Sequence, residues 1–199
     1  MGWRIQDEFQ VKILAIHGAF STPTIFNYAK TKIKGYDWQM FDYSADINDF
    51  ERVCDAAIYS VEEPVHVIGH SMGGMIALFL GGHHLVRSIT TIASPLDGLD
   101  VSMAQQYMSR SSFIRELSKN GRFVNNLHRA GYPMPVQHIL TTRGFNPYMF
   151  EENDGVVSLA SQRGWSAGTV HEISANHAEI MQHDDCVKKI KIFLENSSL

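Results

Sequence analysis

The chain has 199 residues, 44% of them hydrophobic, 19% charged and 11% aromatic, a balance that suits one folded domain with a buried core rather than a disordered tract. Its net charge is −4 and its 17 lysines and arginines are scattered rather than gathered into a stripe, so nucleic acid is not expected as a partner. No apolar run approaches the roughly 20 residues that cross a bilayer, which argues against an integral membrane protein while leaving lipidic substrates open.

Residues 1–10 mix Trp3 and Ile5 with Arg4, Asp7 and Glu8, unlike the apolar region of a secretory signal, and a cytoplasmic location is expected. Short runs rich in β-branched residues then recur at 11–16, 65–68, 86–92 and 136–141, with a more polar strand candidate at 38–43 and another at 169–173. Between them lie helical patterns at 24–33, 46–60, 72–80 and 178–194. Strands alternating with helices imply right-handed crossovers and a mainly parallel sheet covered on both faces, so the fold class is α/β over residues 1–199. The long connection 95–135 carries helical patterns of its own near 101–108 and 113–117. Its apolar residues, Met103 and Tyr107 among them, fit a lid facing substrate or an extra packed helix pair. Cys54 and Cys186 fall in helical patterns, and two thiols make no disulfide framework.

Val65-His66-Val67-Ile68-Gly69-His70-Ser71-Met72-Gly73-Gly74 is the most informative stretch. It places G-x-S-x-G between a strand and a helix, the setting in which a serine on a sharp turn becomes an exposed nucleophile. Glycines two residues before and after Ser71 have no Cβ to collide in such a turn. The amide end of the following helix favours an anion forming at the serine, and the hydroxyl needs a base to become nucleophilic.

Two later loops supply candidates for that base and for its acid. Asp154 precedes Gly155 in a loop beyond strand 136–141, and His177 follows strand 169–173. His177 is expected to take the Ser71 proton and return it to the leaving group, with Asp154 fixing its tautomer. Asp184, Asp185 and Glu172 are the rival acids, and His171 and His183 the rival bases; all fall within a helical or strand pattern that suits surface or packing roles. Asn-Asp-Gly is also a good turn sequence without any chemistry. His17, directly before Gly18, is read as holding its loop by hydrogen bonds rather than as a base.

With His17-Gly18, Gly69-His70-Ser71-Met72-Gly73-Gly74, Ile92-Ala93-Ser94-Pro95, Asn153-Asp154-Gly155-Val156-Val157 and Asn176-His177, the chain resembles the α/β-hydrolase superfamily, and within it the small lipases and esterases. The order Ser71, Asp154, His177 matches that superfamily. The resemblance implies about six parallel strands, an oxyanion hole from the Met72 amide and that of Ala19 or its neighbour Phe20, and no metal or organic cofactor. It implies hydrolysis of a carboxylic ester, with a small acyl ester or lipid as substrate; Phe20 and, in the apolar insert, Met103 and Tyr107 are the candidate substrate contacts. The same machinery serves thioesters, amides or acyl transfer, and a non-catalytic binding protein of the same fold is the remaining alternative.

Overall fold

The computed structural model describes residues 11–43, 49–99, 116–119, 121–129, 131–165 and 167–197. Six strands form one sheet: β1 (Lys12–Ile16), β2 (Asp37–Phe41), β3 (Val65–His70), β4 (Val86–Ile92), β5 (Val136–Thr141) and β6 (Thr169–Ile173). Their order across the sheet is β2-β1-β3-β4-β5-β6, and every neighbouring pair is parallel. Helices α1 (Asn27–Lys32), α2 (Phe50–Tyr59), α3 (Met72–Phe79), α4 (Arg122–Arg129), α5 (Leu159–Gln162) and α6 (Asp184–Ser197) complete the described elements, with short 3₁₀ turns at Pro23–Phe26, Leu80–Gly82 and Glu179–Gln182.

Side chains alternate across a strand, and β1 shows how this divides the core. Leu14 and Ile16 pack with Val53 and Ala57 of α2, Met75 and Ile76 of α3, and Val124 of α4. Ile13 and Ala15 pack on the other face with Ala29 of α1 and Ile190 and Leu194 of α6. The result is helix, sheet and helix in three layers. All six residues of β3 are buried, because strands lie on both sides of it and helices on both faces.

The expected helix at 24–33 starts instead as a 3₁₀ turn with Pro23 at its head and becomes α-helical at Asn27. The expected helix at 178–194 is broken by His183, whose backbone is extended at φ −89° and ψ 126°. The α-helix proper then begins with Asp184 and Asp185, acids placed at its positive end. Of the pattern at 46–60, residues 46–48 lie outside the described residues, and α2 begins at Phe50, where the Asp49 carboxylate caps the Arg52 amide at 3.1 Å. Within the long connection, α4 buries Phe123, Val124 and Leu127, whereas residues 101–108 and most of 113–117 lie outside the described residues. The two stems of the connection meet, since the Leu99 amide donates to the Leu117 carbonyl at 2.6 Å and the Lys119 amide to the Leu99 carbonyl at 3.2 Å.

Both cysteines are free and buried. Among the described residues no helix is long and apolar enough to cross a membrane.

Candidate active site

The site is assembled from loops at the carboxyl ends of β1, β3, β5 and β6, the end at which open parallel sheets commonly bind ligands. Ser71 ends β3 with φ 54° and ψ −122°, a conformation L-residues rarely adopt and one that costs about 1–3 kcal/mol. The surroundings hold it there. Its amide donates to the Ile92 carbonyl at the end of β4, at 2.7 Å. A Cβ on Gly69 would lie 2.1 Å from the Gly73 carbonyl oxygen, and one on Gly73 would lie 2.0 Å from the Ile16 carbonyl oxygen. Backbone therefore occupies the space that any side chain would need, and α3 sits close enough to the sheet to aim its first amides at the site.

The Asp154 carboxylate is buried and fully engaged. Its Oδ1 accepts from the Val156 and Val157 amides at 2.9 and 2.7 Å. Its Oδ2 accepts from Thr141 Oγ1 at 2.5 Å, from Gln162 Nε2 at 3.2 Å and from His177 Nδ1 at 2.7 Å. Burial pushes this carboxyl up, but the bond to and charge of His177, with the Thr141 and Val157 donors, outweigh it and hold the group below its ordinary value. An ionised carboxylate only accepts, so the imidazole carries its proton on Nδ1 and leaves Nε2 as a lone-pair base.

The His177 backbone is fixed on both sides of its α-carbon. Its amide donates to the Asp154 carbonyl at 3.0 Å, and its carbonyl accepts from His70 Nε2 at 2.8 Å. Asn176 steadies the same loop by accepting the Ala178 and Glu179 amides at 3.1 and 2.8 Å.

After β1, the Ser21 amide donates to the Gly18 carbonyl at 3.3 Å and closes a turn in which Phe20 has φ 55°. Among the described residues the amides of Ala19, Phe20 and Met72 donate to no acceptor, and all three residues line one cavity with Ser71 and His177. His17 supports this turn from behind. It stacks on Tyr43 with ring centroids 4.2 Å apart, donates from Nδ1 to the Gly18 carbonyl at 2.8 Å, and its own carbonyl accepts the Tyr43 hydroxyl at 2.7 Å.

The cavity measures about 600 Å³, and Ile25, Pro95, Leu99, Leu117 and Val157 give it apolar walls; among the described residues no Asp, Glu, Lys or Arg lines it. Phe20 lines its mouth and is itself 73% exposed. Ser71 Oγ has no hydrogen-bond partner among the described residues and faces the cavity that His177 also lines.

The structure thus brings Ser71, Asp154, His177, Met72, Ala19 and Phe20 to one place, while Met103 and Tyr107 lie outside the described residues. The rival groups go elsewhere. Glu172 pairs with Arg163 at 2.7 Å, Asp184 accepts the Tyr28 hydroxyl at 2.6 Å, and His183 Nδ1 accepts the Asp185 amide at 3.3 Å. Sequence reasoning missed Thr141, Gln162 and His70 as partners of the acid and base. Only the place of Thr141 at a strand end hinted at its part.

A sequence model of the alpha/beta hydrolase family matches residues 13–186. No curated protein sequence matches the chain. Among solved structures, the mature form of the lipase BlEst2 from Bacillus licheniformis is similar at 16% identity and a TM-score of 0.70, with 99% of this chain and 96% of that one covered. A pyrethroid hydrolase from Sphingobium faniae is similar at 14% identity and a TM-score of 0.60, covering 93% and 97%. An extracellular alpha/beta-hydrolase from a Paenibacillus species gives 12% identity and a TM-score of 0.57, covering 94% and 98%.

Proposed function

Because the chain belongs to the alpha/beta hydrolase family, we propose that it hydrolyses carboxylic esters through an acyl-enzyme formed on Ser71. His177 Nε2 removes the hydroxyl proton as Oγ attacks the ester carbonyl, and Asp154 stabilises the resulting imidazolium. The Met72 amide, with that of Ala19 or Phe20, donates to the oxyanion; each such donor lowers the barrier by roughly 3–4 kcal/mol. Collapse of the tetrahedral species breaks the bond to the leaving alkoxide, which takes the proton from His177. Water then repeats the sequence with His177 as base and frees the acid and Ser71.

One observation carries this reading: a buried carboxylate bonded at 2.7 Å to an imidazole that opens on the same cavity as a serine in a strained turn. The apolar walls favour an uncharged substrate, from a small acyl ester to a lipid. The lipase and the pyrethroid hydrolase among its structural neighbours point the same way. Turnover of p-nitrophenyl acetate, butyrate and octanoate tests the proposal against acyl-CoA and p-nitroanilide substrates. Ester cleavage that vanishes in Ser71→Ala is the expected result, and selective cleavage of the thioester or amide would replace the ester assignment.

A further inference from the structure

His70 stands one residue before the proposed nucleophile, is 3% exposed, and is not used by the chemistry above. Its ring nevertheless reaches two loops of the site. Nε2 donates to the His177 carbonyl at 2.8 Å, and the two imidazole centroids are 4.8 Å apart. Nδ1 is buried without a hydrogen-bond partner among the described residues, and a Cβ on Gly18 would come within 3.2 Å of it. The ring is thus wedged between the turn after β1 and the loop after β6, and its hydrogen bond among the described residues goes to the residue proposed as base.

We infer that His70 is a positioning residue, whose Nε2–H locks the peptide of His177 against the Ser71 turn and so sets the distance and angle at which the base meets the hydroxyl. The inference rests on the hydrolase reading above. The donor role requires a neutral ring protonated on Nε2. Burial, and next the charge of His177, push the His70 imidazole down to about 3, against the smaller upward pulls of the bond to the His177 carbonyl and of Asp154, with His17 adding a further push down. The ring accordingly stays neutral near neutral pH, with its proton on the Nε2 that faces the His177 carbonyl. The His177 amide is held independently by the Asp154 carbonyl, so loss of the His70 bond frees one side of the peptide rather than the whole loop.

Three variants separate positioning from packing: His70→Phe keeps a ring without the donor, His70→Asn keeps polarity on a side chain too short to reach, and His70→Gln places an amide N–H near the position of Nε2. Measured on p-nitrophenyl butyrate, Phe and Asn are expected to lower kcat by about 10- to 100-fold while KM stays within about threefold. Gln is expected to restore most of that loss, and fluorophosphonate labelling of Ser71 should follow kcat across the series. If Phe fails to fold, Asn against Gln makes the same comparison. A folded Phe or Asn variant with parental kcat, or a Gln variant as slow as Asn, overturns the inference. Parental protein that neither turns over esters nor takes the probe removes the hydrolase reading and this inference together, a result distinct from an active parent with indifferent variants.

Discussion

Two serine and histidine neighbourhoods in this molecule invite comparison. Inside the sheet, Ser88 Oγ and His66 Nδ1 lie 2.7 Å apart, close enough to resemble a catalytic pair. At the sheet's carboxyl end, Ser71 and His177 line a cavity and share no hydrogen bond among the described residues. Yet the serine of the first pair lies within a strand and without a positive φ, and both residues are 1% exposed. The second has a strained serine, an anion on the far nitrogen of the imidazole and open space for a carbonyl. A short hydroxyl to imidazole contact therefore does not by itself mark a reactive serine, and the reactivity proposed for Ser71 rests on strain, access and the carboxylate.

The sharpest way to break this comparison is to remove each hydroxyl. Ser71→Ala is expected to lower kcat on p-nitrophenyl esters by about 10⁶-fold, whereas Ser88→Ala should leave kcat within about twofold and destabilise the fold by about 1–3 kcal/mol through the orphaned His66 nitrogen. Steady-state kinetics and denaturant unfolding of the two variants check both halves. Next in size is Asp154→Asn, which inverts the donor on the partner of His177 Nδ1 and favours the wrong tautomer, for an expected loss of about 10⁴-fold in kcat. If that variant keeps parental kcat, the carboxylate is a turn former and nothing more.

Acidity separates the two regions in a smaller way. Burial, with Arg87 nearby, pushes the His66 imidazole down to about 4 from 6.5. Between those values the unfolded chain binds the proton and the folded one does not, so this group makes stability rise with pH across that window. Lowering the pH from 7 to 4 should cost on the order of 3 kcal/mol from this residue, and His66→Gln should flatten that slope in urea melts taken across the range. Smallest in reach but informative is Gly35→Ala, since Gly35 has φ 89° and open space around it. That change should cost about 1 kcal/mol by backbone strain alone, measured as a shift in the urea midpoint with kcat unaltered.

How far the sequence discloses these regions depends on whether a local rule governs them. The Ser71 turn is legible because its constraint is steric and local: Gly69 and Gly73 stand where backbone fills the Cβ positions. Asp154 and His177 are legible from their places after β5 and β6, in the loops where a family member carries its acid and base. Thr141 and Gln162 are not, because they reach Asp154 from 13 and 8 residues away through the folding of β5 and α5. The bond from His70 to the His177 carbonyl spans 107 residues and has no sequence signal. Helix α4 escaped notice because only Phe123, Val124 and Leu127 mark its buried side, too few for a periodic pattern. The break at His183 escaped for the opposite reason: Ile180 and Met181 on one side and Cys186 and Val187 on the other are all buried, so the apolar pattern runs on through it.

The central claim is that Ser71 is made nucleophilic by His177. Fluorophosphonate treatment of the folded protein, followed by peptide mapping, addresses it most directly. One adduct per chain on Ser71, absent from His177→Ala and from urea-unfolded protein, is the predicted result. No adduct, an adduct on another serine, or equal labelling without His177 would contradict it.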